Sequence, residues 1–178
     1  MTLPKGQVIP THSSNSHDIP GGGHVLIVPI THYPTFNTIP PDLAAPILDE
    51  TAQYNFLVVL CHLSTNSCCI NRYKSALRAM YAKHGAGAVF FEVARLSAKG
   101  GHAHAQAVPV PLKLKDKVAE AFVQEGRLLG IDFEEDPDTA LKSCGGGRCS
   151  YFRVDLPDGG KLVHLMKDHV PFSIQFGR

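Results

Sequence analysis

The stretch Gly101-His102-Ala103-His104-Ala105-Gln106-Ala107-Val108-Pro109 sets the tightest limit on how this chain folds. Two histidines and a glutamine alternate with alanines. Along an extended segment every second side chain points the same way. His102, His104 and Gln106 therefore share one side, with roughly 6–7 Å between successive residues. The alanines share the other side, where small side chains let a helix or a second sheet approach. A polar row of this kind is costly to bury without partners. Two readings follow: the floor of an anionic ligand site, catalytic or phosphate-binding, or a partly exposed strand with incidental histidines. The first is the more economical. Pro109 and Pro111 cannot donate ladder hydrogen bonds, so they are expected to stop the strand.

The 178 residues are 44% apolar and 19% charged, enough to build a core, and the formal charge of +1 creates no global pull toward nucleic acid. Any RNA contact is then local or mediated by a protein partner. No uncharged apolar run is long enough to span a membrane. No apolar segment follows Met1-Thr2-Leu3-Pro4-Lys5 as in a secretory leader, so an intracellular location is expected. Five cysteines, an odd number, fit reduced thiols better than a disulfide framework.

Residues 11–23 read as a polar surface loop, and Val25–Ile30 as a buried strand. Asp42 opens a helix whose apolar face runs through Leu43, Ile47 and Tyr54. The segment Asn55–Tyr73 differs in composition from both flanks: it has no acidic residue and holds three of the five cysteines. If it is lifted out, Leu77 and Met80 fall four and seven places beyond Tyr54, and the helical stripe continues in phase. The segment reads as an insertion into one long helix, or as translated intron sequence. A genuine helical hairpin or apolar β segment is the alternative. Helix resumes over Lys74–His84, with Gly85 as its cap.

Ala88–Val93 is the next strand, so strand, long helix, strand and histidine strand form one α+β unit ending near residue 112. The remainder reads as an attached, smaller β-rich module. Lys115–Leu129 is an amphipathic helix with Val118, Phe122 and Leu129 inward, capped by Gly130. Glu134–Asp138 is a solvated acidic turn. Tyr151–Leu156 and Lys161–Met166 flank Pro157-Asp158-Gly159-Gly160, a hairpin signal, and Phe172–Phe176 is a final short strand.

Imidazole has an ordinary pKa of about 6.5, so much of it is neutral at pH 7 and nucleophilic toward phosphorus. Attack by His104 on an α-phosphate gives a nucleotidyl-histidine that water or an acceptor resolves. His102 and Gln106 can hold the phosphate oxygens. The amides of Gly100 and Gly101 can approach them closely, and Lys99 adds positive charge; a flexible turn at Lys99–Gly101 is the alternative. His24 can lie beside the histidine strand if the two pair, whereas His32 reads as a surface residue. An i, i+2 histidine pair on a strand with no nearby cysteine or carboxylate is only a moderate zinc signal. No metal and no cofactor are assigned. Cys144-Gly-Gly-Gly-Arg-Cys149 reads as a glycine-rich turn with two free thiols.

Gly23-His24-Val25-Leu26-Ile27-Val28-Pro29-Ile30-Thr31-His32-Tyr33, followed by Gly101–Gln106, resembles the histidine-triad (HIT) superfamily. With Val108-Pro109-Val110-Pro111 it more closely resembles the first C-terminal domain of the CwfJ family. Tyr151–Val154, Gly160–His164 and Pro171–Arg178 look like that family's second C-terminal domain. The resemblance implies a HIT-like antiparallel sheet with a long helix over 1–112, interrupted at 55–73, and a CwfJ-type extension over 113–178. It implies that the chain begins downstream of the family's N-terminal cysteine-containing portion and stops before its usual C-terminus. Residue by residue, His104 matches the triad's nucleophile and His102 its first histidine. Gln106 stands at the third position, as in the superfamily's nucleotidyltransferase branch. Glu92 falls near the position of a nucleotide-holding asparagine, where a carboxylate repels phosphate. The family is associated with the spliceosome and lariat-RNA turnover. That implies spliceosomal or debranching-enzyme partners, branched or intron RNA or nucleotides as ligands, and a nuclear location, with a cytoplasmic one as the alternative. Two functions are thus carried forward: a splicing-associated binding module, and a nucleotidyl hydrolase or transferase acting through His104.

Overall fold

The computed structural model describes residues 19, 23–29, 32–39, 66–96, 101–145, 147–167 and 170–177. Five strands form one antiparallel sheet in the order β1-β3-β2-β4-β5: β1 (Val25–Ile27), β2 (Ala86–Ala94), β3 (Ala105–Pro111), β4 (Tyr151–Asp155) and β5 (Lys161–Leu165). Three α-helices, α1 (Asn66–Lys83), α2 (Val118–Leu128) and α3 (Pro137–Ser143), accompany it, so the described fold is α+β as expected.

The period of two divides the sheet into two buried faces. Ala86, Ala88, Phe90, Ala105, Ala107 and Ile27 face α1, where Leu77 and Tyr81 pack against them. The Tyr81 hydroxyl donates to the carbonyl oxygens of Gly23 and Ala107, tying helix to sheet. Alanines at 105 and 107 leave room for this tyrosine, as the alternating pattern predicted. Val89, Phe91, Phe152 and Val154 face the other way, toward Ile131, Phe172, Phe176 and the Val118 and Phe122 side of α2. The hairpin expected to belong to an attached module pairs directly with β2, Phe90 opposite Asp155 through Ala94 opposite Tyr151.

Several expectations are corrected. β3 starts at Ala105 and runs through Pro109 and Pro111. Among the described residues β1 pairs with β3 over Ala105–Ala107 alone, so neither proline interrupts that ladder. The helix expected to resume at Lys74 already begins at Asn66, so 66–73 is helical and continuous with 74–83. The remainder of the suspected insertion, 55–65, and the helix expected from Asp42 lie outside the described residues. Leu129 is 58% exposed, and Ile131 takes the core position instead. The acidic turn initiates a helix: the Asp136 carboxylate caps α3, accepting from the backbone N–H groups of Asp138 and Thr139 at 3.2 and 3.1 Å. Cys144 and Cys149 form a disulfide in place of the expected free thiols, because the intervening turn brings their Cα atoms to 4.9 Å. Phe172–Phe176 is a turn, not a strand: Phe176 N–H donates to Ser173 O at 3.1 Å. A strand would place residues 172, 174 and 176 on one side, but the two phenylalanines are buried and Ile174 is exposed.

Gly126 shows local propensity and packing in opposition. A Cβ there would stand 2.9 Å from the Ile131 carbonyl oxygen and 3.1 Å from the Phe133 ring. Alanine ordinarily improves a helix interior by about 0.8–1.0 kcal/mol over glycine, but overpacking costs about 1–3 kcal/mol. Gly126→Ala is expected to be net destabilising by up to about 2 kcal/mol, read as a lowered midpoint in urea. A raised midpoint would show that the Ile131 turn yields freely.

Candidate functional site

The residues before β3 continue its extended course. Ala103 N–H donates to Tyr33 O at 2.6 Å, and His102 Nε2–H donates to Pro29 O at 2.7 Å. Both bonds hold the 101–104 segment beside the chain that follows β1. Gly101 is needed here for approach: a Cβ would come within 3.0 Å of the Arg95 carbonyl oxygen. His102, His104 and Gln106 line one cavity of about 210 Å³, together with Gly101, Pro34, Val93, Arg95, Ile174 and Gln175. The two imidazoles are half-buried, while Gln106 is only 3% exposed.

The hydrogen bonds define what each group presents. His104 Nδ1 lies 3.0 Å from the His102 carbonyl oxygen. A carbonyl oxygen only accepts, so Nδ1 carries the hydrogen and the neutral ring keeps its lone pair on Nε2. His24 Nε2 lies 3.0 Å from Gln106 Oε1. By the same argument the imidazole donates, the amide oxygen is engaged, and the NH₂ end of Gln106 is left as a donor for an anion. The pairing of Val25 with Ala107 puts His24 there, as expected if β1 and the histidine strand share a sheet. The His32 ring packs on that of His102 with centroids 4.2 Å apart, so it is an exposed residue with a contact at the site.

Glu92 is placed apart from this group. It stands opposite Ala105 in register and shares the α1 face with Phe90, whereas Val93 is the β2 residue on the histidine side. Its buried carboxylate accepts from Phe36 N–H and from the Tyr151 hydroxyl, each at 3.0 Å. Burial pushes its pKa up, against the pull of these two donors. The carboxylate expected to repel phosphate thus lies on the opposite face of the sheet from the histidines. Lys99 and Gly100 lie outside the described residues.

Five cavity residues escaped the sequence reading: Pro34, Val93, Arg95, Ile174 and Gln175. Val93 and Arg95 had a usable signal. In the β2–β3 register Phe91 faces Gln106 and Glu92 faces Ala105. Continued outward, that register sets Val93 opposite His104 and Arg95 opposite His102. The last two gave no local signal, since they reach the cavity by tertiary docking. Among the described residues no group of three histidine, cysteine or acidic side chains is placed to hold a metal ion. No helix among them is long and apolar enough to cross a membrane.

Comparison with known proteins gives a consistent set of relatives. The chain is 30% identical over 178 residues to CWF19-like protein mug161 of Schizosaccharomyces pombe, covering 100% of this chain and 27% of that protein. It is 29% identical over 158 residues to human CWF19-like protein 1, covering 87% of this chain and 24% of the relative. It is 29% identical over 184 residues to zinc finger CCCH domain-containing protein 59 of Oryza sativa subsp. japonica, covering 99% and 24% respectively. The chain therefore spans about a quarter of the length of these relatives. Residues 1–123 match the family described as "Protein similar to CwfJ C-terminal", and on that match the chain belongs to the CwfJ C-terminal family.

Proposed function

We propose that this chain is a splicing-associated module whose HIT-like histidine cavity binds a nucleotide or an RNA phosphate. The observation that carries the reading is the convergence of His102, His104, Gln106 and Arg95 on one small cavity. The free NH₂ end of Gln106 and the cation of Arg95 are donors suited to an anion, and His104 turns its Nε2 lone pair to the same site. Family membership supports the splicing association, and with it a nuclear location and spliceosomal or debranching-enzyme partners.

A second reading, a nucleotidyl hydrolase or transferase, is favoured by the tautomer of His104. With Nδ1–H held by the His102 carbonyl, Nε2 can attack an α-phosphorus. The P–N bond forms as the P–O bond to the leaving group breaks, and the leaving oxygen takes a proton from solvent. The ring then carries positive charge, which the carbonyl at Nδ1 stabilises. Water or an acceptor hydroxyl next attacks phosphorus and releases its proton to solvent, the P–N bond breaks, and the neutral ring returns.

The test is incubation of the 178-residue chain with nucleotides, a dinucleotide, a nucleoside phosphoramidate and branched oligonucleotides. Intact-mass analysis reads histidine adducts, and equilibrium binding reads affinity. A catalytic site gives an adduct that His104→Ala reduces at least 100-fold. A binding module gives nucleotide or RNA affinity that survives this substitution within about tenfold, the scale of one hydrogen bond. Neither adduct nor binding with any of these probes overturns both readings.

A further inference from the structure

Phe172 and Phe176 anchor the two ends of a turn near the C-terminus. Their ring centroids lie 5.3 and 5.1 Å from that of Phe152, and 5.8 Å from each other. Between them Gln175 N–H donates to Ser173 Oγ at 3.2 Å. Gly177 follows at φ +106° and lies flat on the Phe91 ring, where a Cβ would come to 3.0 Å. With both ends fixed, the middle of the turn reaches the histidine cavity, and Ile174 and Gln175 line it. Ile174 is 57% exposed, so burial in the core does not account for an isoleucine there.

The lining is divided by chemistry. Gln106 and Arg95 supply polar donors, and the rings of His102 and His104 complete the polar side. Pro34, Val93 and Ile174 supply apolar surface, and Gln175 adds an amide that can both donate and accept. A bare phosphate uses only the first set. A ligand with an anionic end and a flat apolar body edged by hydrogen-bonding groups uses both, and a nucleotide has that form. At about 210 Å³ the cavity is small beside the usual range of about 300–1,000 Å³ for ligand sites, which suits a single nucleotide unit over a longer segment.

We infer that the Ile174–Gln175 turn is the nucleoside-recognition wall of the histidine cavity: Ile174 packs against the sugar or base, and Gln175 hydrogen-bonds its edge. The inference rests on the nucleotide-binding reading above and names the part of the chain that selects a nucleotide over a simpler phosphate. It also gives the C-terminal portion a role in a site otherwise built from residues 34–106.

The test compares AMP, ribose 5-phosphate and inorganic phosphate by calorimetry on the full chain. The variants are Ile174→Ala, Gln175→Ala, the double variant and His104→Ala. Both turn residues are exposed, so the substitutions leave the core intact, and circular dichroism verifies folding. The affinity ratio of AMP to inorganic phosphate is expected to fall at least tenfold in the double variant. An unchanged ratio in that variant, with His104→Ala weakening both ligands, overturns the inference and leaves the nucleotide-binding reading standing. A ratio that the double variant leaves unchanged overturns the inference whatever His104→Ala does, and no binding of any probe to the wild-type chain overturns both.

Discussion

Phe152→Ala is expected to destabilise the protein by about 3–5 kcal/mol, a large share of the about 5–15 kcal/mol that holds a typical domain folded. Phe152 is fully buried, and its ring meets those of Phe91, Phe122, Phe133, Phe172 and Phe176. These rings come from β2, α2, the segment after α2 and the C-terminal turn. Removing the ring leaves a cavity that four separately tethered pieces of chain cannot all collapse to fill, which places the change toward the upper part of the range. The effect extends to the candidate site. Phe172 and Phe176 lose their common contact, and the turn that carries Ile174 and Gln175 loses its anchor. Urea denaturation gives the stability change, and limited proteolysis near residues 170–177 gives the loosening. A loss below about 1.5 kcal/mol, closer to an ordinary surface substitution, would show that this cluster is not the main packing centre of its face.

Asp155→Asn is expected to cost about 3–5 kcal/mol at pH 7. Lys74 and Asp155 are both buried and form an ion pair, and Arg153 Nε reaches the second carboxylate oxygen at 2.8 Å. Burial lowers the Lys74 pKa, and Asp155 partly offsets that pull. Burial alone would raise Asp155, but the Arg153 guanidinium and Lys74 ammonium hold it below its ordinary value. The asparagine variant leaves the ammonium buried without its counter-charge, which is the source of the loss. Replacing both partners together, as Lys74→Met with Asp155→Leu, is expected to be far milder, because a well-packed apolar pair avoids the desolvation of two ions. The pH dependence follows from the sign of the shift. A depressed carboxyl contributes stability that is present above its unfolded pKa, here 3.8, and is lost as pH falls through the still lower folded value. The wild-type advantage over Asp155→Asn is thus expected at pH 5–8 and shrinks below about pH 4. A gap that stays constant down to pH 2.5 would show that the carboxylate charge is not what the pair contributes.

Both results concern the sheet that the two halves of the chain build together, and that joint sheet was hard to read in advance. Each strand core was legible, because β-branched and apolar runs are local signals. So was the Pro157–Gly160 hairpin, whose turn chemistry is contained in four residues. The partner of that hairpin was not legible. β4 pairs with β2 across more than fifty residues of intervening chain, and nothing in Tyr151–Asp155 names β2 as its neighbour. The error at Pro109 and Pro111 has the same origin. A proline ends a central strand but not an edge, and whether a residue lies at an edge depends on how far another strand extends. The face that Glu92 occupies follows from its registers with β3 and β4. The strand itself could not show it, because Val89, Phe90 and Phe91 are all apolar and give no alternation.

The sequence by itself determined that His102, His104 and Gln106 face together and that the alternating alanines face the other way. Extended backbone repeats every two residues whatever surrounds it, so that arrangement needs no tertiary information. Only the tertiary structure decided which groups complete the cavity. Arg95 arrives through hairpin register, and Ile174 and Gln175 arrive because two phenylalanines dock their turn on a distant aromatic cluster. Such contacts depend on shape and burial across the whole sheet, and no short run of residues encodes them.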